Sequence, residues 1–115
     1  IIFGISDLAH ALNLNKQTNT SIEGNIYEGT GDFLGFVFYF YDKNTFSCSN
    51  TSGTKISYGI YEANENAITL KFGAEAYYAV SLDNGRKIMI NNSQLEKVTN
   101  STSLKEYKNI FHDLD

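Results

Sequence analysis

Between residues 22 and 98 the chain is divided at regular intervals into short segments in which apolar and polar residues alternate. The boundaries between these segments carry Gly, Asn or Asp, the residues that turns favour. This punctuation gives about eight candidate strands, spaced by about eight to twelve residues. Connections this short join antiparallel neighbours, because parallel crossovers need a dozen or more residues. The pattern therefore predicts a mainly β fold, an eight-stranded antiparallel up-and-down meander or small barrel with short N- and C-terminal helices.

Both ends of the chain have helical periodicity. An apolar stripe near the N-terminus is formed by Ile5, Leu8, Ala9 and Leu12. Near the C-terminus, the run from Ser103 to Glu106 matches a capping box, and a second stripe contains Leu104, Tyr107, Ile110, Phe111 and Leu114. We expect the C-terminal helix to pack over a barrel end or against the outer face of the sheet.

The length of 115 residues is enough for one hydrophobic core. We therefore predict a single domain over residues 1–115. It divides into a helix and linker at 1–21, a β-meander or barrel at 22–98, and a capping helix at 99–115.

Charge and hydropathy exclude several classes of partner. The formal net charge is −4, and no basic cluster is larger than the pair Arg86 and Lys87, so we expect no nucleic-acid partner. No apolar run approaches the roughly 20 residues of a membrane-spanning helix, so we expect a chain that does not span a membrane. Cys48 is the only cysteine, so no internal disulfide can form.

The sequence contains no recognisable catalytic, metal-binding or phosphate-binding motif. His10 and His112 lie near opposite ends of the chain, and no G-x-S-x-G elbow accompanies them. The spacings C-x-x-C and H-x-x-x-H are absent, and the Gly29-Thr30-Gly31 run lacks the third glycine of a dinucleotide-binding loop. We expect a non-enzymatic protein with no cofactor and no metal.

The aromatic and aliphatic residues of the predicted strands are the remaining candidates for a binding site. Alternation places seven of them on one interior face, where they either fill the barrel or line a pocket for one small ligand. The predicted ligand-binding residues are Phe36, Phe38, Phe40, Tyr58, Ile60, Phe72 and Tyr78. The opposite face is predicted to carry tyrosines that form a contact surface or lie under the terminal helices, namely Tyr39, Tyr41, Tyr61 and Tyr77.

Several of these segments, taken together, resemble the calycin-like meander of lipocalin-like small β-barrel proteins of the bacterial envelope. The similarity covers roughly residues 22–98 and is carried by the segments 35–46, 56–61, 66–70, 78–90 and 95–97. The chain departs from the pattern at Asn44, where the first hairpin usually has Gly, and at Ile22, where a Trp-x-Gly opening is common. The resemblance implies an envelope or secreted protein, and it transfers no catalytic residue.

Two functions remain open from the sequence. The first is a non-enzymatic, lipocalin-like binding module for a small apolar ligand or an envelope component. The alternative is a protein–protein interaction, structural or inhibitor module that uses the tyrosine face or the terminal helices. We expect a secreted or cell-envelope location, and otherwise a cytoplasmic one.

Overall fold

A computed structural model of the chain describes residues 22–112, which form a closed antiparallel barrel of eight strands followed by one helix. Each strand pairs with the next in sequence, and the last pairs with the first. The strands are β1 (Ile26–Gly29), β2 (Phe36–Tyr39), β3 (Thr45–Asn50), β4 (Ile56–Asn64), β5 (Ala67–Phe72), β6 (Glu75–Leu82), β7 (Lys87–Ile90) and β8 (Ser93–Lys97). The predicted fold class is confirmed.

The connections divide between two ends of the barrel. The β1–β2, β3–β4, β5–β6 and β7–β8 connections lie at what we call the upper end, and the β2–β3, β4–β5 and β6–β7 connections lie at the lower end. A single-turn 3₁₀ helix, Gly31–Phe33, forms part of the β1–β2 connection. The β6–β7 connection turns at Asp83, Asn84 and Gly85, which all have positive φ. Because neighbouring strands run in opposite directions, both ends are lined by short loops.

The interior of the barrel is filled by side chains in mutual contact. Its central ring is Phe40, whose centroid lies 5.5 Å from that of Tyr27, 5.5 Å from that of Phe46 and 5.0 Å from that of Tyr61. Edge-to-face and offset arrangements at these separations are favourable for aromatic pairs. The buried residues of this core are Ile22, Tyr27, Phe38, Phe40, Phe46, Tyr61, Ile68, Leu70, Ala79, Ile88, Ile90 and Leu95.

Two core tyrosines tie the lower loops to the interior. The Tyr27 hydroxyl donates to the carbonyl oxygen of Gly85, and the Tyr61 hydroxyl donates to the carbonyl oxygen of Asp42, each at 2.5 Å. Burial raises the pKa of Tyr27 to about 12, so its hydroxyl keeps the proton that it donates. The rings supply apolar core area while the hydroxyls satisfy loop carbonyls.

Helix α1 (Ser101–Ile110) lies against the outside of the barrel. Its N-cap is Asn100, whose side-chain oxygen accepts from the Ser103 backbone amide at 3.0 Å. The N-cap is therefore Asn100 rather than Ser103. The Asn100 side chain accepts from the Ser103 amide, which in the predicted capping box would donate to Glu106.

The apolar side of α1 covers a second cluster on the outer wall of β1 and β2. Phe111 is buried there with its ring centroid 5.6 Å from that of Tyr39. Leu104, Tyr107 and Ile110 pack against the same cluster. Of the two sites expected for this helix, the outer face is the one observed.

The predicted N-terminal helix and linker, with His10, lie outside the described residues, and so do residues 113–115. Within residues 22–112 no helix is both long enough and apolar enough to cross a bilayer.

Candidate functional site

The barrel divides the seven predicted ligand-binding residues between its two faces. Phe38 and Phe40 are buried in the interior, and Phe72 is partly buried against it with its ring centroid 4.8 Å from that of Phe46. The other four are exposed. Tyr58, Ile60 and Tyr78 point outward, and Phe36 is exposed at the upper end of β2, although its position in the alternation is that of the buried Phe38. The prediction that all seven converge on one interior is therefore wrong for these four residues.

On β4 the residue between the predicted ligand-binding residues Tyr58 and Ile60 is Gly59, and it faces the interior. Gly59 is the direct cross-strand partner of Phe46, and a β-carbon at Gly59 would lie 2.7 Å from the Phe46 ring and 2.6 Å from the carbonyl oxygen of Lys71. The ring thus occupies the space that a side chain would need. Since alternate residues point to opposite faces, Tyr58 and Ile60 on either side of Gly59 must point outward.

On β6 small residues occupy two of the inward positions. The interior receives Tyr77, Ala79 and Ser81, whereas Tyr78 and Val80 face the solvent. Ala79 belongs to the same packed core as Phe38 and Phe46, and a close-packed interior leaves little room for larger side chains at such a position. The bulkier alternate residues of this strand are left outside.

Together these two strands form an outer apolar face. It is defined by six side chains that are exposed to different degrees, namely Ile56 (39%), Tyr58 (56%), Ile60 (51%), Tyr78 (76%), Val80 (45%) and Leu82 (42%). Strand β5 lies between β4 and β6 and places Lys71 opposite Ile60 and Thr69 opposite Tyr78. Thr69 is also opposite Glu62 of β4, so the apolar residues of β4 lie nearer the upper end and those of β6 nearer the lower end. The outer apolar face is therefore an oblique band across one wall of the barrel, with Lys71, Thr69 and Glu62 between its two halves.

The predicted tyrosine face is also reassigned. Tyr61 and Tyr77 point inward rather than outward, and Tyr39 is buried beside Phe111 under α1. Tyr41 is partly buried against the same outer cluster. Of the two alternatives predicted for these tyrosines, the place beneath a terminal helix is observed for Tyr39 and Tyr41. The predicted outward direction is wrong for Tyr61 and Tyr77, which belong to the core side.

Near the upper end of the barrel, in a region that we call the upper mouth, several partly buried side chains pack against the core, among them Phe33, Cys48, Phe72 and Tyr77. Burial raises the pKa of the Cys48 thiol to about 11. A thiol with this pKa is protonated at neutral pH and is a weak nucleophile there. No group of three or more His, Cys, Asp or Glu side chains able to hold a metal ion occurs among the described residues.

Comparisons of this chain with protein-family models, with curated proteins and with solved structures give no match. The observed closed barrel of eight strands agrees with the lipocalin-like resemblance at the level of fold. It transfers no function.

Proposed function

We propose that this barrel is a non-enzymatic protein-interaction module and that the outer apolar face contacts its partner. The supporting observation is that large apolar side chains of β4 and β6 are exposed, while small residues of the same strands face the core. These strands place Ile60, Tyr78 and Val80 in solvent while Gly59 and Ala79 face the core.

Such an arrangement is unfavourable for an isolated barrel. Each exposed apolar side chain forgoes about 1.5–3 kcal/mol that full burial would provide. Exposed apolar side chains grouped on one wall of a folded domain are typical of surfaces that associate with another protein. Tyrosines with aliphatic neighbours also form the common anchors of such interfaces, since Tyr combines large area with a polar tip. A folded protein that presents an apolar surface of its own is the partner that fits this face.

Photocrosslinking tests this assignment. With p-benzoylphenylalanine in place of Tyr78, in the full-length chain expressed in its own cells, we expect discrete covalent protein adducts. The same group in place of Lys43, an exposed residue of the lower end, should give none of them. An adduct with twice the mass of the chain would identify a second copy as the partner.

Matched variants decide whether the adducts depend on the apolar face. Changing Ile60→Ser together with Val80→Ser should reduce the adducts at least about five-fold, because apolar contact area is lost. Lys105→Ser changes an exposed residue of α1 that belongs to neither proposed surface, and it should leave them unchanged. Adducts that form equally from position 43, or that survive the double change in a folded sample, would refute the proposal.

A second candidate is binding of a small apolar ligand at the upper mouth. The observation in its favour is that Phe33, Phe72 and Tyr77 remain partly exposed there, next to the Cys48 thiol. The packed rings below them limit such a ligand to the mouth itself.

Alkylation of Cys48 by iodoacetamide measures occupancy of this mouth. At pH 8 we expect a rate at least about 10-fold below that of the urea-unfolded chain, because the raised pKa reduces the thiolate fraction more than it increases nucleophilicity. The rate should rise with pH until about pH 11. Saturable slowing by dodecanoate below its micelle concentration supports the second candidate, and an unchanged rate contradicts it.

A further inference from the structure

A second surface feature lies on the wall of the barrel opposite β4 and β5, where β8 closes onto β1. It is a groove of about 390 Å³ between the β1–β2 connection, the β3–β4 connection and β8. We call it the upper groove, and the residues that matter here are Glu28, Thr30, Leu34, Phe36, Thr51 and Glu96. Because it is on another side of the barrel, it is separate from the outer apolar face.

Two carboxylates lie side by side in this groove. Glu28 of β1 and Glu96 of β8 are direct cross-strand partners, which places their β-carbons about 4.5–5.5 Å apart. Like charges in this arrangement repel each other. None of the residues that line the groove is basic. Lys87 is the partner of Glu96 on the other side, on β7, and it lies outside the groove.

One of the carboxylates is held in place from the helix. The Tyr107 hydroxyl of α1 donates to a carboxylate oxygen of Glu28 at 2.5 Å. This hydrogen bond raises the pKa of Tyr107 to about 12, so the hydroxyl stays a donor. A carboxylate with one oxygen fixed in this way still has acceptor sites that face the groove.

The opposite side of the groove is apolar and exposed. Leu34 is 76% exposed and Phe36 is 41% exposed. The turn that carries them is built into the fold, since the Leu34 amide donates to the Gly31 carbonyl at 3.2 Å and the Thr51 amide donates to the Gly35 carbonyl at 3.1 Å. The two apolar side chains are therefore presented by an ordered connection.

We propose that the upper groove binds an arginine side chain of a peptide segment, with its guanidinium between Glu28 and Glu96 and its alkyl stem on Leu34 and Phe36. Arginine fits because it combines an apolar stem with a planar, multiply donating head. The Phe36 ring offers a further favourable contact to the cation. The net charge of −4 favours the approach of a basic segment.

Titration with two short peptides tests the groove. The probe is acetyl-Leu-Arg-Leu-amide, and its control replaces arginine by citrulline, which has nearly the same shape without the charge. We expect saturable shifts of the backbone amide NMR signals of Gly29, Thr30, Gly35 and Thr51 with the arginine peptide. The affinity of the citrulline peptide should be lower by a factor of at least about five, because this peptide cannot make the ionic contacts.

Variants separate the groove from general attraction to an acidic protein. Glu96→Gln should weaken the arginine peptide about three- to five-fold. Glu62→Gln removes an exposed carboxylate from the opposite wall and should change its affinity by less than about 1.5-fold, since the Debye length is about 8 Å at physiological salt. Equal binding of the two peptides, shifts spread over the whole surface, or equal effects of the two variants would overturn the proposal. None of these outcomes bears on the outer apolar face, so the two surfaces are tested independently.

Discussion

The Phe40→Ala variant is expected to lose about 3–5 kcal/mol of unfolding free energy, the range for truncation of a buried phenylalanine. Phe40 is fully buried, and its ring contacts those of Tyr27, Phe46 and Tyr61. Removing it leaves a cavity bounded by rigid rings from three other strands, which cannot collapse without moving the barrel wall. Domains are typically stable by about 5–15 kcal/mol, so the change removes a large share of the total.

Urea denaturation followed by tyrosine fluorescence or circular dichroism measures this loss. Phe36→Ala is the matched control, because it removes the same side chain from an exposed position at the start of β2. We expect the control to lose no more than about 1 kcal/mol. If the two variants are equally destabilised, the assignment of Phe40 to the packed core and of Phe36 to the surface is wrong.

The Gly59→Ala variant is expected to destabilise the protein by at least about 2 kcal/mol, although alanine is usually the better residue at such a position. A Gly→Ala change reduces the conformational entropy of the unfolded chain. It stabilises the folded protein by about 0.4–1 kcal/mol where the folded backbone can accept alanine. At Gly59 the new methyl would lie 2.6 Å from the Lys71 carbonyl oxygen and 2.7 Å from the Phe46 ring. Overpacking of this kind costs about 1–3 kcal/mol or more, and one of the two groups is backbone, which moves only with β5.

A double-mutant cycle with Phe46→Leu isolates the ring contact. Leu is smaller than Phe, so Gly59→Ala should cost about 1 kcal/mol less in the Phe46→Leu background. The remaining cost reflects the contact with Lys71, which both backgrounds share. Additive effects, or a Gly59→Ala variant as stable as the wild type, would show that the interior has room at this position.

The arrangement of strands could be predicted from the sequence because it depends on local signals. Alternation identifies a strand, and Gly, Asn or Asp identifies the turn that follows it. The turns at Asp42, Asn66 and Asn84 lie where this rule places them, between antiparallel neighbours. Barrel closure follows from the same regularity, since an even meander of eight strands brings its last strand back to its first.

The direction of the side chains could not be predicted for β4 and β6, because it depends on partners far away in sequence. A strand with Ile, Tyr and Ile on alternate positions normally buries them. Here the inward space opposite Gly59 belongs to Phe46 of another strand. A usable signal was the set of small residues on the other parity, Gly59 with Ala63 in β4 and Ala79 with Ser81 in β6.

The upper groove had no signal in the sequence. Glu28 and Glu96 are 68 positions apart, and they become neighbours only when β8 closes onto β1. Leu34 was assigned to no face, because it precedes the predicted regular alternation. Both surfaces proposed for binding therefore arise from register rather than from any local motif.

The pairing of β8 with β1 has a consequence for how any partner can attach. The sheet formed by the described residues has no terminal strand, so a visiting peptide cannot extend it by main-chain hydrogen bonding in the way that open sheets recruit an extra strand. Contacts between the barrel wall and a partner must therefore be made by side chains. The exposed outward side chains do not form the backbone hydrogen bonds that close the barrel. They can therefore be substituted one at a time, which changes the binding specificity while the fold is retained.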